Sequence, residues 1–392
     1  DQSKLKANKR NMSDEDSLRK LRGGGLVETI KERVVQCGID LGFDLVGIAT
    51  AESLPETEAE LNRRIEAGIY SPLVSGSPKE RTTPTLLLPG AQSVIMVAMA
   101  YGVDPNGMNP HGLGTSSPEP TVHHKGEPKN QPNPGTKKMH RGLLSRYAWG
   151  QDYHHVMVPR LNQLAAFVES IVPGARCRVM VDSGPLVEKA MAYRAGLGFY
   201  GWNSCLITER FGSWVFLGSL LTTASLPPDE FKPRTCRECG RCIEACPTGA
   251  ITAPYVVNPY LCLSQVTQTR GIMPERFYKP LGNRLFGCDT CQEVCPHNGS
   301  PEWGNHQEFI PHPLLGTAPP LEMVLDLTNR SFGASFGQIA AGWRGKKILQ
   351  RNALINLGNT GDPQVIPHIV KLLEDPTDPI QVAASWALSN IR

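Results

Sequence analysis

The sequence predicts three units in series: an α/β domain, a cysteine-rich segment built to hold metal, and an all-α repeat at the C-terminal end. Three observations carry this. Apolar runs of strand length alternate with helical patterns over residues 26 to 230, the pattern of an α/β layer structure. Eight of the eleven cysteines crowd into residues 236 to 295. The last fifty residues repeat themselves at a 31-residue period. A chain of 392 residues has room for two or three domains, and 40% hydrophobic residues supply their cores. The net charge of +3 allows a nucleic-acid partner without demanding one.

Residues 1 to 25 are polar and mixed in charge, with no apolar core of signal-peptide length and no twin-arginine pair. The chain has no run of 18 apolar residues. These features predict a flexible tail on a cytoplasmic protein with no membrane partner.

The α/β unit begins with "LVETIKERVVQCGIDLG", which puts Leu26, Ile30, Val34 and Cys37 on one helical face. "FDLVGIA" reads as the next strand. "SVIMVAMAY" (93 to 101) is a continuous apolar run, as expected of a strand buried on both faces. "RCRVMVD" (176 to 182) and "WVFLGSLLT" (214 to 222) are further strands, and helical patterns lie near 57 to 67, 152 to 170 and 185 to 196. His154 and His155 suit an ordinary helix start better than a metal site. Residues 102 to 135 break the pattern with seven prolines, six glycines and no Ile, Phe or Trp. Such a stretch buries too little surface to offset its ordering entropy, so it reads as a mobile insertion.

"CRECGRCIEACP" carries the C-x2-C-x2-C-x3-C-P spacing of bacterial ferredoxins. Three thiolates on a tight turn cap three irons of one cube, and the fourth begins a helix that points to a second cube. A second run therefore has to exist, and "CDTCQEVCP" supplies it; its missing first member is assigned to Cys262, the one cysteine between the runs. Cluster one then takes Cys236, Cys239, Cys242 and Cys295. Cluster two takes Cys246, Cys262, Cys288 and Cys291. A zinc site needs only four ligands and has no use for the x3-C-P endings. Residues 231 to 300 are accordingly a ferredoxin-like unit with two 4Fe–4S clusters. Such clusters relay electrons, which need an external donor and an acceptor site. Cys37, Cys177 and Cys205 read as ordinary buried thiols.

Residues 301 to 343 connect to residues 344 to 392, where "NALINLGN" and "ASWALSN" align Ala353 with Ala384, Leu357 with Leu388 and Asn359 with Asn390. Helix pairs at this period read as HEAT-like repeats. Arg344, Lys346, Lys347 and Arg351 are the candidate phosphate contacts. Loss of residues 346 to 392 is then expected to weaken RNA binding and spare the cofactors.

Asp182 ends a predicted strand, where ligands bind in α/β sheets. Ser183 and Pro185 suit a helix start just after it. From the residues alone, Asp182 is either a catalytic carboxylate or a helix cap.

The combination of "DSGPLVEKAMAYRAGLGFYGWN", the split cysteine runs, "GNRLFGCDTCQEVCPHN" and "WRGKKILQRNA" resembles the epoxyqueuosine reductase family over residues 26 to 392. The resemblance implies an α/β cobalamin-binding domain, cobalamin as a cofactor beside the two 4Fe–4S clusters, and tRNA carrying epoxyqueuosine as substrate. It makes Asp182 the proton donor. It makes Arg81, Ser145, Leu206, Leu217, Ser264, Asp289 and Thr290 contacts of the corrin or of the cluster beside it. The absence of a D-x-H-x-x-G motif implies a cobalamin without the histidine lower ligand that the motif supplies. Nothing in the residues calls for more than a monomer. Two rivals share parts of this pattern: a corrinoid reductive dehalogenase, and a ferredoxin-type electron-transfer protein. The first expects a twin-arginine export signal and no helical repeats. The second leaves Asp182, Arg81 and the basic repeat region without a role.

Overall fold

The computed structural model describes residues 29–103, 139–230 and 235–391. The predicted tail and nearly all of the predicted insertion lie outside the described residues.

Helix α1 (Ile30–Asp40) opens on a capping box, in which the Thr29 hydroxyl accepts the Glu32 N–H and the Glu32 carboxylate accepts that of Thr29. Strand β1 (Leu45–Thr50), α2 (Pro55–Glu66), β2 (Ser93–Ala100), α3 (Tyr153–Ile171), β3 (Cys177–Met180), α4 (Glu188–Arg194) and β4 (Val215–Thr222) follow. Asp152 caps α3 by accepting the His154 N–H at 3.0 Å, so the His154–His155 pair is a helix start as expected. The sheet order is β1-β2-β4-β3, and every neighbouring pair is antiparallel. Strand–helix alternation along the chain thus arises here without parallel crossovers.

Strand β2 is buried over its whole length. Ile95, Val97 and Met99 face α1 and α3, packing with Val34, Met157 and Leu161. Val94, Met96 and Ala98 face the other way, toward Ala190 and Met191 of α4. Because successive side chains alternate between faces, one strand feeding two cores must be apolar at every position.

The cysteine-rich segment holds the short helices α5 (Arg241–Glu244), α6 (Leu263–Val266) and α7 (Thr290–Glu293). The C-terminal part consists of α8 (Lys346–Thr360), α9 (Ile366–Val370) and α10 (Asp378–Asn390). Ala353 and Ala384, equivalent in the repeat, are both fully buried. A Cβ on Gly358 would lie 2.7 Å from the Cα of Ala387, which shows how closely α8 and α10 cross.

Helix α8 is buried continuously from Ile348 to Gly358. It carries α10 on one side and the cysteine-rich segment on the other. Asn352 Nδ2 donates to the carbonyls of Thr267 and Leu285, both at 2.9 Å. One apolar cluster includes Leu263, Phe277, Leu285, Leu349, Leu354 and Ile380, and so joins the two regions into a shared core. Leu143–Leu144 pairs parallel with Arg284–Phe286, tying the "RGLLSRYAWG" segment to the same body. Among the described residues, no helix is long and apolar enough to cross a membrane.

Candidate functional site

Past the end of β3 the chain turns sharply. Asp182 has φ of 51°, in the left-handed region that non-glycine residues rarely adopt. Its N–H donates to both carboxylate oxygens of Glu188, at 3.2 and 3.1 Å. Its Oδ2 accepts the hydroxyl of Tyr153 at 2.8 Å. Helix α4 begins only at Glu188, and its cap residue Val187 makes no side-chain cap bond. Asp182 and Ser183 therefore cap nothing, and the helix-cap reading of Asp182 does not hold.

The surroundings keep protons on the partners of Asp182. Burial, then the Asp182 charge, raise the Tyr153 hydroxyl far above its ordinary value, so it stays a donor. Burial and the same charge push Glu188 well above the usual carboxylate range. Tyr153 itself is fixed by stacking on Phe216, with ring centroids 4.3 Å apart.

A cleft of about 340 Å³ opens beside this turn, lined by Arg64, Tyr70, Arg81, Cys262, Ser264 and Gln268, with Leu61, Ile69 and Val74 as apolar wall. The short helix Pro78–Thr82 presents Arg81, whose Nε donates to the Pro185 carbonyl at 3.0 Å and whose Nη1 donates to the Tyr70 hydroxyl at 2.9 Å. The Arg81 carbonyl accepts the Val187 N–H at 3.0 Å. Arg81 thus braces the Asp182 turn from the cleft side. Partly buried Tyr147 lies within reach of the charges of Asp289, Asp182 and Cys262, which, after desolvation, raise its hydroxyl. That hydroxyl accepts from Gln268 at 3.3 Å.

The other predicted contacts fall in two places. Ser145 Oγ and the Arg146 N–H donate to the two oxygens of Asp289 at 2.6 and 2.7 Å. Burial raises the Asp289 carboxyl against these bonds. Gly287, with φ of 72°, allows this approach, since a Cβ there would lie 2.4 Å from that of Ser145. Thr290 Oγ1 accepts from Arg284 at 2.8 Å and lies 3.4 Å from Cys288 Sγ. Leu206 is buried and Leu217 packs against the same apolar cluster. Neither lines the cleft.

The thiols gather in two groups. Cys236, Cys239, Cys242 and Cys295 line one small cavity together with Trp202 and His297. The turn that does this passes through Glu238 at φ 55° and Gly240 at φ 73°. In the second group, Cys262 feels Cys288 and Cys246 beyond its burial, and Cys291 feels Cys288 and Cys262. Cys246 lies below the ordinary thiol value: burial opposes this, but the N–H groups of Thr248, Ala250 and Ile251 outweigh it. The Ala250 N–H reaches its Sγ at 3.2 Å. Amide donors aimed at sulfur favour the thiolate, the form that ligates iron.

Two sequence readings need correction. Cys205 is not an ordinary buried thiol: it is only partly buried, and Cys291 beside it holds it below its ordinary value, at about 7. No spacing signal announces it. Arg351 is not a surface phosphate contact. It is 1% exposed and donates to the carbonyls of Thr269 and Gly271 at 2.6 and 2.8 Å, and burial pulls it down to about 10. Its position on the inward face of α8 turns it toward the cysteine-rich segment. Lys347 pairs with Asp375, Lys346 is half-exposed, and Arg344 stacks 3.7 Å from the ring centre of Trp343. Sequence reasoning also missed Tyr153 and Tyr147, which lie far along the chain from the groups they touch, and Glu188 and Gln268, whose roles depend on how the chain turns locally.

Comparison with known proteins agrees with this geometry. Residues 81–183 match the model described as epoxyqueuosine reductase QueG, DUF1730. Residues 235–298 match a 4Fe-4S double cluster binding domain, and residues 360–392 an armadillo/β-catenin-like repeat. The chain is 36% identical to the epoxyqueuosine reductase of Bacillus cereus over 365 residues, covering 93% of this chain and 90% of that one. It is 35% identical to that of Bacillus subtilis over 366 residues, covering 93% and 88%. A crystal structure of epoxyqueuosine reductase with an epoxyqueuosine-modified tRNA-Tyr stem loop superimposes with a TM-score of 0.81 at 34% identity, covering 92% of this chain and 90% of that one. A Bacillus subtilis structure with its catalytic aspartate loop swung out of the active site matches equally, with a TM-score of 0.81. With a clasped aspartate, an adjoining cleft and a double-cluster segment all inside the matched span, the chain belongs to the epoxyqueuosine reductase family.

Proposed function

We propose that this protein reduces epoxyqueuosine to queuosine at the wobble position of tRNA, the last step of queuosine synthesis. The observation that carries this is Asp182, clasped by Tyr153 and Glu188 beside the Arg81 cleft and next to the paired thiol groups. Two electrons and two protons convert the epoxide to an alkene and release its oxygen as water. Cys236, Cys239, Cys242 and Cys295 would hold one 4Fe–4S cluster and Cys246, Cys262, Cys288 and Cys291 a second, and the pair would supply a path for electrons from an external donor.

The cleft has the lining of a ligand site, apolar walls with a few polar groups, and at about 340 Å³ it takes in only part of a group as large as cobalamin. Arg81 and Ser264, which line the cleft, would hold cobalamin there, while Ser145, Asp289, Thr290, Leu206 and Leu217 lie outside its lining and would act only through the walls. Bound cobalamin supplies a strongly reducing metal centre for C–O cleavage. The chain itself handles the proton. Asp182 takes up a proton from solvent on the oxygen that Tyr153 leaves free and passes it to the epoxide oxygen as the bond breaks, which turns a poor leaving group into a good one. Glu188 retains its proton above the usual carboxylate range and stands on the Asp182 amide, so it can hold the turn in place.

The division of labour largely follows the chain: residues 26 to 230 hold cobalamin with help from Ser264, 231 to 300 hold the clusters, and the HEAT-like region from 344 meets RNA. The protein works as a cytoplasmic monomer. The test is anaerobic incubation with cobalamin, a reductant and epoxyqueuosine-containing tRNA, followed by nucleoside mass analysis. Loss of one oxygen from the modified nucleoside is expected. Unchanged epoxyqueuosine with cofactors fully loaded overturns the reading.

A further inference from the structure

Trp343 is an unusual side chain to find on a surface. It is 52% exposed, yet it is not loose. Its indole Nε1 donates to Gln268 Oε1 at 2.9 Å. The Arg344 guanidinium lies over the ring at 3.7 Å from its centre. Gln268 also donates to the Ser264 carbonyl at 2.8 Å and lines the cleft together with Cys262 and Ser264. The indole therefore stands at the cleft rim, held in register with the cleft wall. Exposed Arg270 lies close enough to Arg344 for the two charges to repel.

A rigid aromatic ring backed by a guanidinium, with a second arginine beside it, is the composition of a nucleobase-stacking platform. Its place gives it a specific task. A nucleoside that enters a cleft for chemistry has to leave its stack, and the base next to it loses a stacking partner. Resting on the proposed function above, we infer that Trp343 stacks on a base flanking the modified nucleotide and replaces the partner lost on extrusion. Arg344 and Arg270 meet the adjoining phosphates. Trp343 is a positioning residue, since it does not reach the reacting atoms.

The experiment compares the parent with Trp343→Ala, Trp343→Leu and Trp343→Phe, all loaded with iron and cobalamin. Equilibrium binding and single-turnover conversion are measured on three anticodon stem-loops carrying epoxyqueuosine: one intact, one abasic on the 5′ side of the modified nucleotide, one abasic on the 3′ side. On the intact stem-loop, Ala and Leu should bind about tenfold more weakly, within the usual range for one base–aromatic stack, and Phe should stay near the parent. On one of the abasic stem-loops the parent should itself weaken, and the gap between parent and Ala or Leu should close. The loss should persist at high salt, because stacking releases no counterions, whereas Arg344→Gln should flatten the salt dependence.

Parental binding by Ala and Leu overturns the inference. So does a deficit that is equal on all three stem-loops, which would mean general damage or a contact to something other than a flanking base. If the Ala variant does not fold, the Leu variant and the parent's response to the abasic sites still decide. Failure of the parent to bind or convert the intact stem-loop defeats the functional reading and this inference together, and is separable from conversion that ignores Trp343.

Discussion

Asp182 is held at two points that do different things. Tyr153 donates to its carboxylate and orients it, while Glu188 holds its backbone N–H and with it a turn of unfavourable φ. Asp182→Asn is nearly isosteric, so it should keep iron, cobalamin and tRNA affinity and lose about a hundredfold or more in single-turnover rate, the scale for losing a positioned acid. Tyr153→Phe removes one hydrogen bond to a charged group, worth about 1.5–3 kcal/mol, and should slow the same step by at least about tenfold without touching iron content. Glu188 gives a pH test. Its pKa is raised in the fold, so the folded state binds its proton more tightly than the unfolded chain does. The stability this contributes is complete below the ordinary carboxylate value and is lost as pH rises through the raised value. Thermal unfolding followed over about pH 4–8 should show the parent losing stability with rising pH relative to Glu188→Gln, which has no proton to release. Parallel curves would show that Glu188 titrates normally.

Helix α8 shows how an element with a repeat signature can serve another purpose. Its Arg351 and Asn352 reach the carbonyls that follow α6, the helix that carries Cys262 at its start. Arg351→Gln should therefore act as a stability lesion of about 2–3 kcal/mol, since it removes a buried charged donor and its bonds to the Thr269 and Gly271 carbonyls. Denaturant unfolding would measure it, and the salt dependence of tRNA binding should not change. Cys262→Ser tests the cysteine-rich segment at the same scale. Each 4Fe–4S cluster needs four cysteines, so iron should fall by about half while the centre on Cys236, Cys239, Cys242 and Cys295 keeps its spectrum. Unchanged iron would break the assignment of Cys262.

Across the whole molecule, the shared core changes what a truncation means. The sequence presents residues 346 to 392 as a separable RNA-binding end, and their loss as harmless to the cofactors. The structure puts Leu349, Leu354 and Ile380 in one apolar cluster with Leu263 and Leu285. Removing residues from Lys346 onward strips one side of that core and the Arg351 bonds at once. The truncated chain should lose iron and aggregate, as read by iron analysis and size-exclusion chromatography. A soluble truncation with full iron would show that the cysteine-rich segment stands alone.

What the sequence determined by itself is local. Cysteine spacing defined two thiol groups, because ligands a few residues apart on a turn cannot help but converge. The unbroken apolar run at 93 to 101 identified a strand covered on both faces, and the run at 176 to 182 put Asp182 at a strand end, although the strand itself stops at Met180. Tertiary structure decided what depends on distant residues. The antiparallel order of the sheet, the grip of Tyr153 on Asp182 from 29 residues away, and the anchoring of Trp343 by Gln268 across 75 residues have no trace in any short window. Arg351 shows the limit most plainly. Charge and motif put it on the surface, but the face of α8 that packs on residues 80 to 85 positions earlier turned it inward, where backbone carbonyls offset the cost of burying its charge.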